Sequence, residues 1–319
     1  MTNVVMTGGA GYIGSSILRA NWGAPSVLIR VFDNLLWNQG ALVCPILRKR
    51  EGYSFHRQNV LDWSDSLKRA VAAADVIMPL AALVGAPLCD QHPETAQQLN
   101  ADWFKTLLNY VNGKQLIIYP NTNSGYGSTG KEICTEETPS NPISLYGKTK
   151  QEAEDTLLER YPNSIAFRLA TVFGWSPRPR LDLLINNLTM TAVKEGHIDV
   201  FDGHFRRNYV HIHDVAEAFS FAYRNRNQMA GEIYNLGNDK LNMTKENLVK
   251  NICDITGATY KKIKDRTDPD KRDYIVSSQK LYDLGYKPHY GLESGVREIV
   301  ELAALLPDSE DGSYKIRNY

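Results

Sequence analysis

The sequence predicts an α/β protein built on a doubly wound parallel sheet. Short apolar segments that fit buried strands alternate with amphipathic segments that fit helices through the first half of the chain. A glycine-rich turn, residues 7–14, joins the first apolar segment to the first helical one. Past Ala170 the alternation loosens around Pro177 and Pro179, which indicates a smaller C-terminal domain of different character.

Each predicted strand is a short run rich in Val, Ile, Leu or aromatic residues, and each predicted helix carries apolar residues at helical spacing. The predicted strands, in chain order, are 3–6, 27–32, 53–57, 76–80, 116–120 and 164–169. The predicted helices between them begin at residue 15 and then span 63–74, 101–111 and 147–161. Strands that alternate with helices in this order favour parallel pairing, because each helix carries the chain back to the end of the sheet at which the preceding strand began.

The turn at residues 7–14 has the spacing Gly-x-x-Gly-x-x-Gly. Gly8 permits a tight turn, Gly11 lets the backbone approach a pyrophosphate, and Gly14 lets the helix pack close to the strand. The pyrophosphate would then lie at a helix N-terminus, where free N–H groups favour negative charge. A strand, this turn and a helix predict a dinucleotide-binding Rossmann unit.

Asp33 ends the second predicted strand and follows Gly14 by 19 residues, close to the roughly 20 expected for the carboxylate that binds the adenosine ribose. An Asp there accepts hydrogen bonds from both ribose hydroxyls and repels a 2′-phosphate, so we expect NAD rather than NADP. We expect residues 1–170 to form the Rossmann domain, with 206–232 returning to it. Residues 171–205 and 233–319 would form the smaller domain.

Composition excludes several classes of partner. Lys+Arg and Asp+Glu both total 36 of 319 residues, so nothing indicates binding to nucleic acid or to an anionic membrane. The apolar stretch 70–88 is interrupted by Asp75 and Pro79, which disfavours a membrane span. The four cysteines form no C-x-x-C pair and a strand begins almost at Met1, so we expect reduced thiols, no signal peptide and a cytoplasmic protein.

Tyr146 and Lys150 form a Tyr-x-x-x-Lys pair at the start of the predicted helix 147–161. Residues four apart share a helix face, so the Lys150 ammonium can lie beside the phenol or a cofactor ribose. A phenol with an ordinary pKa of about 10 is a weak base at neutral pH. A nearby ammonium and the positive nicotinamide of NAD⁺ both favour the phenolate, which predicts Tyr146 as a general base.

These features together resemble the extended short-chain dehydrogenase/reductase superfamily, in its NAD-dependent nucleotide-sugar epimerase/dehydratase branch. The residues that carry the resemblance are the glycine turn, Asp33, 80–82, Asn100, Tyr146 with Lys150, 207–211 and 284–288. The strings 79–89, 119–127 and 268–274 are similar to a narrower group of bacterial enzymes that act at C4 of nucleotide-activated heptoses and hexoses. GDP-heptose 4-dehydrogenases and 4-epimerases of capsule polysaccharide biosynthesis belong to that group.

The resemblance implies a mechanism. Tyr146 removes the proton from the sugar 4-hydroxyl while C4 gives hydride to NAD⁺, and Thr122 holds the same hydroxyl. Sugar 4,6-dehydratases carry an acid and a base directly after that threonine, whereas this chain has Asn123 and Ser124. Neither can take the C5 proton unaided, so we expect oxidation or epimerisation at C4 without loss of water.

The resemblance also implies the binding residues. It places NAD against Gly8, Gly11, Tyr12, Ile13, Gly14, Asp33, Asn34, Asn59, Val60, Leu80, Ala81, Ala82, Asn100, Tyr146 and Lys150. It places a nucleotide-diphosphate sugar, with a GDP-sugar favoured, against Val84, Ser124, Arg180, Asn187, Arg207 and Arg272, with Arg178 and Arg206 as further candidates. Guanidinium forks suit the oxygens of a diphosphate.

Three further expectations come from the sequence. The helices 101–111 and 147–161 correspond to the pair that forms a four-helix dimer interface in related enzymes, and the apolar residues Trp103, Phe104 and Leu107 favour a homodimer. His211 and His213 alternate on one strand face, but no further ligand at metal spacing accompanies them. We therefore expect no metal site there, and we expect Asp214 to act as a helix N-cap.

Other functions stay open at this point. A 4,6-dehydratase is disfavoured by Asn123 and Ser124. A 4-keto reductase that uses NADPH would carry a basic residue where Asp33 and Asn34 stand. A non-catalytic NAD-binding regulator on the same fold would have lost Tyr146 or its lysine, and both are present.

Overall fold

A computed structural model describes residues 1–20, 26–37, 52–130, 132–263 and 272–306. The strands are β1 (Thr2–Thr7), β2 (Val27–Asp33), β3 (Tyr53–Arg57), β4 (Val76–Pro79), β5 (Leu116–Thr122), β6 (Ile133–Cys134), β7 (Ser164–Leu169), β8 (Thr171–Phe173), β9 (His197–Val200), β10 (Arg206–His211), β11 (Glu232–Leu236), β12 (Asn238–Thr244), β13 (Thr259–Lys262) and β14 (Ile275–Val276). The helices are α1 (Tyr12–Arg19), α2 (Asp65–Ala72), α3 (Ala86–Gln91), α4 (Pro93–Gln97), α5 (Trp103–Leu107), α6 (Leu145–Arg160), α7 (Leu184–Glu195), α8 (Ile212–Arg224), α9 (Arg226–Met229), α10 (Lys245–Thr256), α11 (Gln279–Asp283) and α12 (Leu292–Leu305).

Seven strands form the main sheet, in the order β11-β7-β5-β4-β1-β2-β3. The pairs β1–β2, β2–β3, β1–β4 and β4–β5 are all parallel. The predicted doubly wound parallel sheet is therefore confirmed. Strand order reverses between β1 and β4, and such a switch point is where open α/β sheets bind their ligands, at the carboxyl ends of the strands.

Serine side chains cap the N-termini of two helices of unit 1. Ser64 accepts a hydrogen bond from the Leu67 amide at the start of α2, and Ser144 accepts one from the Gly147 amide at the start of α6. The predicted helix 101–111 is shorter than expected. The chain forms a π-helical segment, Gln98–Asp102, before the α-helical turns of α5 end at Leu107. Periodicity alone does not distinguish these helix types, because the apolar side chains still fall on one face.

Contact density divides the chain into two compact units. Unit 1 comprises residues 1–125, 142–168 and 216–234, and unit 2 comprises 126–141, 169–215 and 235–319. These bounds differ from the predicted domains at residues 126–141, 169–170 and 206–215, which fall in unit 2, and at residues 233–234, which fall in unit 1. The reason is strand pairing, because β6 pairs with β14 and β10 pairs with β8 and β12.

The core of unit 1 lies against the main sheet. Apolar side chains from β1, β2, β4 and β5 pack with those of α2, α5 and α6, and the largest of them include Phe32, Trp103, Phe104 and Tyr119. Ring contacts at centroid distances of 4.9–5.4 Å join Trp103, Phe104 and Tyr119 in sequence. This core supports the two elements, β5 and α6, that carry the predicted catalytic residues.

Unit 2 is built from small sheets and three packed helices. Its three-stranded sheet has the order β12-β10-β8, and its two-stranded sheets pair β13 with β9 and β14 with β6. Helices α7, α10 and α12 surround a core that includes Phe173, Ile185, Ile252 and Val296. Within the described part of the chain, no helix has the length and apolar character needed to cross a membrane.

Candidate active site

The glycine turn lies against the carboxyl ends of β1 and β4. Gly8 has φ +66°, and a Cβ there would lie 2.5 Å from the backbone nitrogen of Ala81. A Cβ on Gly14 would lie 2.5 Å from the backbone of Gly9, whereas one on Gly11 would meet nothing closer than the Gly8 carbonyl at 3.1 Å. The fold therefore requires Gly8 and Gly14, while Gly11 leaves open backbone at the N-terminus of α1, as a bound pyrophosphate needs.

Asp33 is buried at the end of β2 and is connected to the glycine turn. Its carboxylate accepts hydrogen bonds from the amide of Ala10 at 3.0 Å and from the amide of Leu35 at 2.8 Å. Each carboxylate oxygen can accept more than one hydrogen bond, so this carboxylate can hold the turn and still bind ribose hydroxyls. The structure therefore adds a second task to the one predicted for Asp33.

The remaining residues predicted at the cofactor lie around this end of the sheet. Asn34 and Asn59 both close local turns, because their side chains accept the amides of Leu36 and Leu61. The Leu80 amide donates to the carbonyl of Thr7, which joins β4 to β1 directly before the glycine turn. Partly buried residues here are Ile13, Leu80, Ala81 and Ala82, and Tyr12 and Val60 are buried. Val84, predicted to contact the sugar substrate, follows them and is also partly buried.

Asn100 joins two elements of unit 1. Its carboxamide is buried, accepts the Leu83 amide at 2.9 Å and donates to the Leu83 carbonyl at 2.9 Å and to the Thr149 hydroxyl at 3.3 Å. These bonds tie the loop before α3 to helix α6. The cofactor contact of Asn100 stays a prediction.

Thr122 is the last residue of β5 and is held in a two-hydroxyl turn. Its hydroxyl donates to the Ser124 hydroxyl at 3.0 Å and accepts the Ser124 amide at 3.1 Å. The side chain of Asn123 is buried, and neither atom of its carboxamide has a hydrogen-bond partner among the described residues. The positions that carry an acid and a base in 4,6-dehydratases thus hold a neutral amide and a hydroxyl that orients Thr122.

Tyr146 lies in the first turn of α6, which packs on β5. A Cβ on the next residue, Gly147, would lie 3.6 Å from the Ser124 carbonyl, so the start of the helix lies directly beside the Thr122–Ser124 turn. Tyr146 is half-buried. The structure therefore brings the predicted base and the predicted hydroxyl-binding residue to the same edge of unit 1.

Lys150 is buried one turn further along α6. Its Nζ lies 4.1 Å from the centroid of the Tyr119 ring, and its backbone carbonyl accepts the Tyr119 hydroxyl at 3.0 Å. Burial lowers the pKa of Lys150 from 10.5 to about 7, although Glu154 on the same helix raises it in part. The sequence predicted an ammonium at this position, and a pKa of about 7 means that the charged form is only part of the population near neutral pH.

Tyr119 and Glu154 are functional candidates that the sequence analysis missed. Tyr119 supplies the aromatic face under the Lys150 ammonium, an arrangement that favours the charged form. Glu154 follows Lys150 by four residues and so lies on the same helix face. That spacing was the available signal, but the sequence gives no sign that a carboxylate in a charged helix is fully buried.

The predicted substrate arginines lie in unit 2, and their surroundings differ. Arg180 is buried and its Nε donates to Asp182 at 2.7 Å. Arg207 is buried with its guanidinium 5.4 Å from the centroid of the Tyr274 ring. Arg206 forms an ion pair with Asp273 and donates to the Gly130 carbonyl, so its charge is used within unit 2.

The other predicted substrate residues of unit 2 lie in three separate segments. Asn187 is half-buried in α7, and its amide donates to the Leu183 carbonyl at 2.7 Å. Arg178 is buried, whereas Arg272 is half-buried at the boundary of the described residues. Residues 264–271, which include part of the string 268–274, lie outside the described residues.

His211 and His213 meet a third polar residue, Glu298, 85 residues later in the chain. The His213 amide donates to Nδ1 of His211 at 3.2 Å, so Nε2 must carry the ring proton, which it donates to Glu298 at 3.1 Å. A metal ion would need that nitrogen unprotonated, so this geometry favours a hydrogen-bond network.

The predicted N-cap role of Asp214 is wrong, because Asp214 lies inside α8 and accepts the amides of His289 and Tyr290.

The apolar residues that favoured a dimer interface are interior residues. Trp103, Phe104 and Leu107 are at most 4 % exposed and belong to the core of unit 1. The exposed face shared by α5 and α6 is polar, with Lys105 donating to Glu152 at 2.7 Å. The sequence argument from apolar area is therefore wrong.

Comparison with known proteins places this geometry in context. Residues 4–237 match the NAD dependent epimerase/dehydratase family. A dTDP-glucose 4,6-dehydratase of Streptomyces niveus is 25% identical over 313 residues, which cover 93% of this chain and 91% of the relative. A putative UDP-arabinose 4-epimerase of Arabidopsis thaliana is 30% identical over 280 residues, which cover 77% of this chain and 66% of the relative.

Solved structures share the fold. The UDP-glucuronic acid 4-epimerase of Bacillus cereus, in complex with UDP-glucuronic acid and NAD, has a TM-score of 0.81 at 22% identity and covers 95% of this chain and 99% of its own. The dTDP-glucose 4,6-dehydratase of Bacillus anthracis, in complex with NAD, has a TM-score of 0.81 at 24% identity, and the match covers 96% of this chain and 97% of the dehydratase chain. At these identities the likeness establishes the architecture.

Proposed function

Because the chain belongs to the NAD dependent epimerase/dehydratase family, and its cofactor is therefore NAD, we propose that it oxidises a nucleotide-activated sugar at C4 without removing water. The observation that carries this proposal is the Thr122–Ser124 turn. It presents hydroxyls beside Tyr146 and contains no carboxyl group at the positions that dehydration uses.

In the proposed reaction the residues of unit 1 have separate tasks. Thr122 holds the sugar 4-hydroxyl and Tyr146 accepts its proton, since a positioned general base contributes roughly 10²–10⁴-fold to the rate. Lys150, supported by the Tyr119 ring, favours the phenolate when it is charged. Bound NAD supplies the hydride acceptor for C4. The glycine turn and Asp33 would hold its pyrophosphate and ribose.

We propose a GDP-sugar, with a heptose or hexose, as the substrate. Support comes from the strings 79–89, 119–127 and 268–274, which resemble enzymes of that narrower group. Arg207, Arg180 and Arg272 are the candidate diphosphate ligands, because guanidinium groups bind phosphate oxygens in pairs. The named relatives act on dTDP- and UDP-sugars, so the nucleotide is the part of this proposal that most needs a direct test.

Two outcomes of C4 oxidation compete. If the 4-keto sugar turns over in the site, hydride returns to its other face and the enzyme is a 4-epimerase. If the ketone leaves, or a second substrate reoxidises NADH, the enzyme is a net 4-dehydrogenase, which is the outcome we favour. A 4,6-dehydratase is the second candidate function, supported by the relatives that carry that name.

The test is incubation of the purified enzyme with GDP-, UDP-, CDP-, ADP- and dTDP-sugars, with NADH absorbance followed at once and product mass afterwards. A product lighter by two hydrogens, with NADH formed, is expected for a dehydrogenase. Unchanged mass with inverted stereochemistry at C4 indicates an epimerase. A product lighter by one water would contradict the proposal, because Asn123 and Ser124 would then support dehydration.

We also propose, from the family resemblance, a homodimer in cytoplasm that pairs helices α5 and α6 across a polar face of Lys105, Glu152, Gln97 and Asp102. Light scattering at micromolar concentration should give the dimer mass at low salt. A monomer mass there would contradict this part of the proposal.

A further inference from the structure

A buried carboxylate lies on the same helix as the candidate catalytic residues Tyr146 and Lys150. Glu154 is fully buried in α6 and is held by Arg168, which is itself buried at the end of β7. The Arg168 guanidinium donates from Nη2 at 2.6 Å and from Nε at 3.1 Å to the same Glu154 oxygen. Gln151 donates to this carboxylate as well, at 3.0 Å.

Glu154 is connected to Thr122 through a single side chain. Asn121, on β5, donates from its Nδ2 to the second Glu154 oxygen at 2.6 Å, and its Oδ1 accepts the Thr122 amide at 2.8 Å. The carboxamide of Asn121 thus has a donor and an acceptor bond in opposite directions, which fixes its orientation. Because the Thr122 hydroxyl is in turn bonded to Ser124, a continuous series of bonds leads from Arg168 to the catalytic turn.

The same carboxylate lies one helical turn beyond Lys150. Residues four apart on a helix share a face, so α6 places Tyr146, Lys150 and Glu154 in a row along β5. Tyr119, two residues before Asn121, donates its hydroxyl to the Lys150 carbonyl. Strand and helix are therefore joined at two successive levels, by Tyr119 at Lys150 and by Asn121 at Glu154.

Stability alone gives little reason for this arrangement. Removing two charges from water is costly, and buried ion pairs can often be replaced by apolar residues without loss of stability. A pair retained next to the catalytic turn, with its remaining oxygen directed at Asn121, suits a role in geometry instead. We propose that Glu154 is a positioning residue, which acts through Asn121 to fix the Thr122 backbone and hydroxyl in place for the reaction; this inference rests on the proposed function.

The first test is Glu154→Gln, with Glu159→Gln as the matched control. Glu159 lies on the same helix and is exposed, so its variant should behave like the wild type. For Glu154→Gln we expect kcat to fall roughly 10- to 100-fold, as small misplacements of reacting groups do. KM for the sugar and the affinity for NAD should each change by less than roughly threefold.

A swap of the two side chains tests the connection itself. In the double variant Asn121→Asp with Glu154→Gln, a carboxylate at position 121 can accept both the Thr122 amide and the carboxamide introduced at position 154, and the total charge is preserved. We expect this double variant to recover most of the kcat that Glu154→Gln loses. Asn121→Asp alone places two carboxylates next to each other, so its kcat should be lower than that of Glu154→Gln or of the double variant. Recovery of folding without recovery of kcat would show that the pair serves stability only.

Hydrogen exchange gives a readout that needs no substrate. The Thr122 amide should exchange faster in Glu154→Gln than in wild type or Glu159→Gln, and the swap should restore its protection. Wild-type kcat in Glu154→Gln, or unchanged exchange at residues 121–124, would overturn the inference. If the wild type oxidises none of the sugars, the proposed function fails, and the exchange result still decides whether Glu154 positions Thr122.

Discussion

The two halves of the candidate site in unit 1 are constructed in different ways. The cofactor end is defined by backbone, because a Cβ at Gly8 or Gly14 would lie 2.5 Å from another backbone segment. The catalytic end is defined by side chains, because Thr122 and Lys150 take their positions from bonds to Ser124 and Tyr119. A backbone constraint is written in a few adjacent residues, whereas a side-chain network assembles residues that are distant in sequence.

This difference predicts how each end responds to substitution. At the catalytic end, single side chains should be removable with loss of turnover and little loss of binding or folding. At the cofactor end, changes should affect the affinity for the dinucleotide or the fold of the turn, and leave the chemistry intact. The following variants examine that separation.

Tyr146→Phe should have the largest effect. Without the phenol oxygen no group at this position can accept the proton of the sugar 4-hydroxyl, so kcat should fall by roughly 10²–10⁴-fold while the sugar still binds. The matched control is Tyr161→Phe, because Tyr161 is the C-cap of the same helix and its hydroxyl donates to the Gln115 carbonyl at 2.9 Å. Near-native turnover in Tyr146→Phe would remove it from the mechanism.

Lys150→Met should separate activity from stability. The folded-state pKa of Lys150 is about 7, below its ordinary 10.5. Between these values the unfolded chain holds a proton that the folded chain does not, so wild-type stability should rise with pH across that window. Methionine cannot titrate, so the variant should gain most over wild type below pH 7, and the gain should shrink towards pH 10.5, while turnover falls.

The measurement is denaturant unfolding of both proteins across this pH range, with Lys148→Met as the control. Lys148 is exposed on the same helix, so its replacement should not change the pH dependence. If the Lys150 and Lys148 variants show parallel curves, the amine of Lys150 is not the buried titrating group.

Asp33→Ala should have an intermediate effect, on cofactor choice. Loss of charge-assisted hydrogen bonds should weaken NAD binding by about 1.5–3 kcal/mol. The difference between the affinities for NAD and NADP should also become smaller, because the 2′-phosphate of NADP is no longer repelled. Asp33→Asn is the informative partner, since an amide oxygen can still accept the Ala10 amide. Calorimetry with both dinucleotides should show the narrowed preference in both variants. If the wild type binds NADP⁺ as tightly as NAD⁺, Asp33 does not determine cofactor choice.

The sequence was sufficient where a local rule decides the structure. It predicted the parallel sheet, the glycine turn, Asp33 at the end of β2 and the helix that carries Tyr146. It failed where burial decides, because the charged pattern of α6 hides the full burial of Lys150 and Glu154. Likewise the apolar residues Trp103 and Phe104 fit an interface and a core equally well, and only packing shows that they belong to the core.

Gly8→Ala and Gly11→Ala should give the smallest but most selective effects at the cofactor end. Gly8 has φ +66° and faces the Ala81 backbone, so alanine there should cost about 1–2 kcal/mol of stability from the backbone conformation alone, with more from the contact. Gly11 has φ −78°, which any residue adopts, and its Cβ would meet only the Gly8 carbonyl at 3.1 Å. Gly11→Ala should therefore lower the unfolding midpoint less than Gly8→Ala does, because the Gly8 carbonyl needs to shift by only a few tenths of an ångström. It should lose affinity for NAD, because the methyl group would occupy the space of the pyrophosphate. Thermal unfolding with and without NAD measures both quantities in one experiment. If Gly11→Ala binds NAD as well as wild type, the pyrophosphate does not approach the turn at this residue, and the backbone-defined cofactor end would be limited to Gly8 and Gly14.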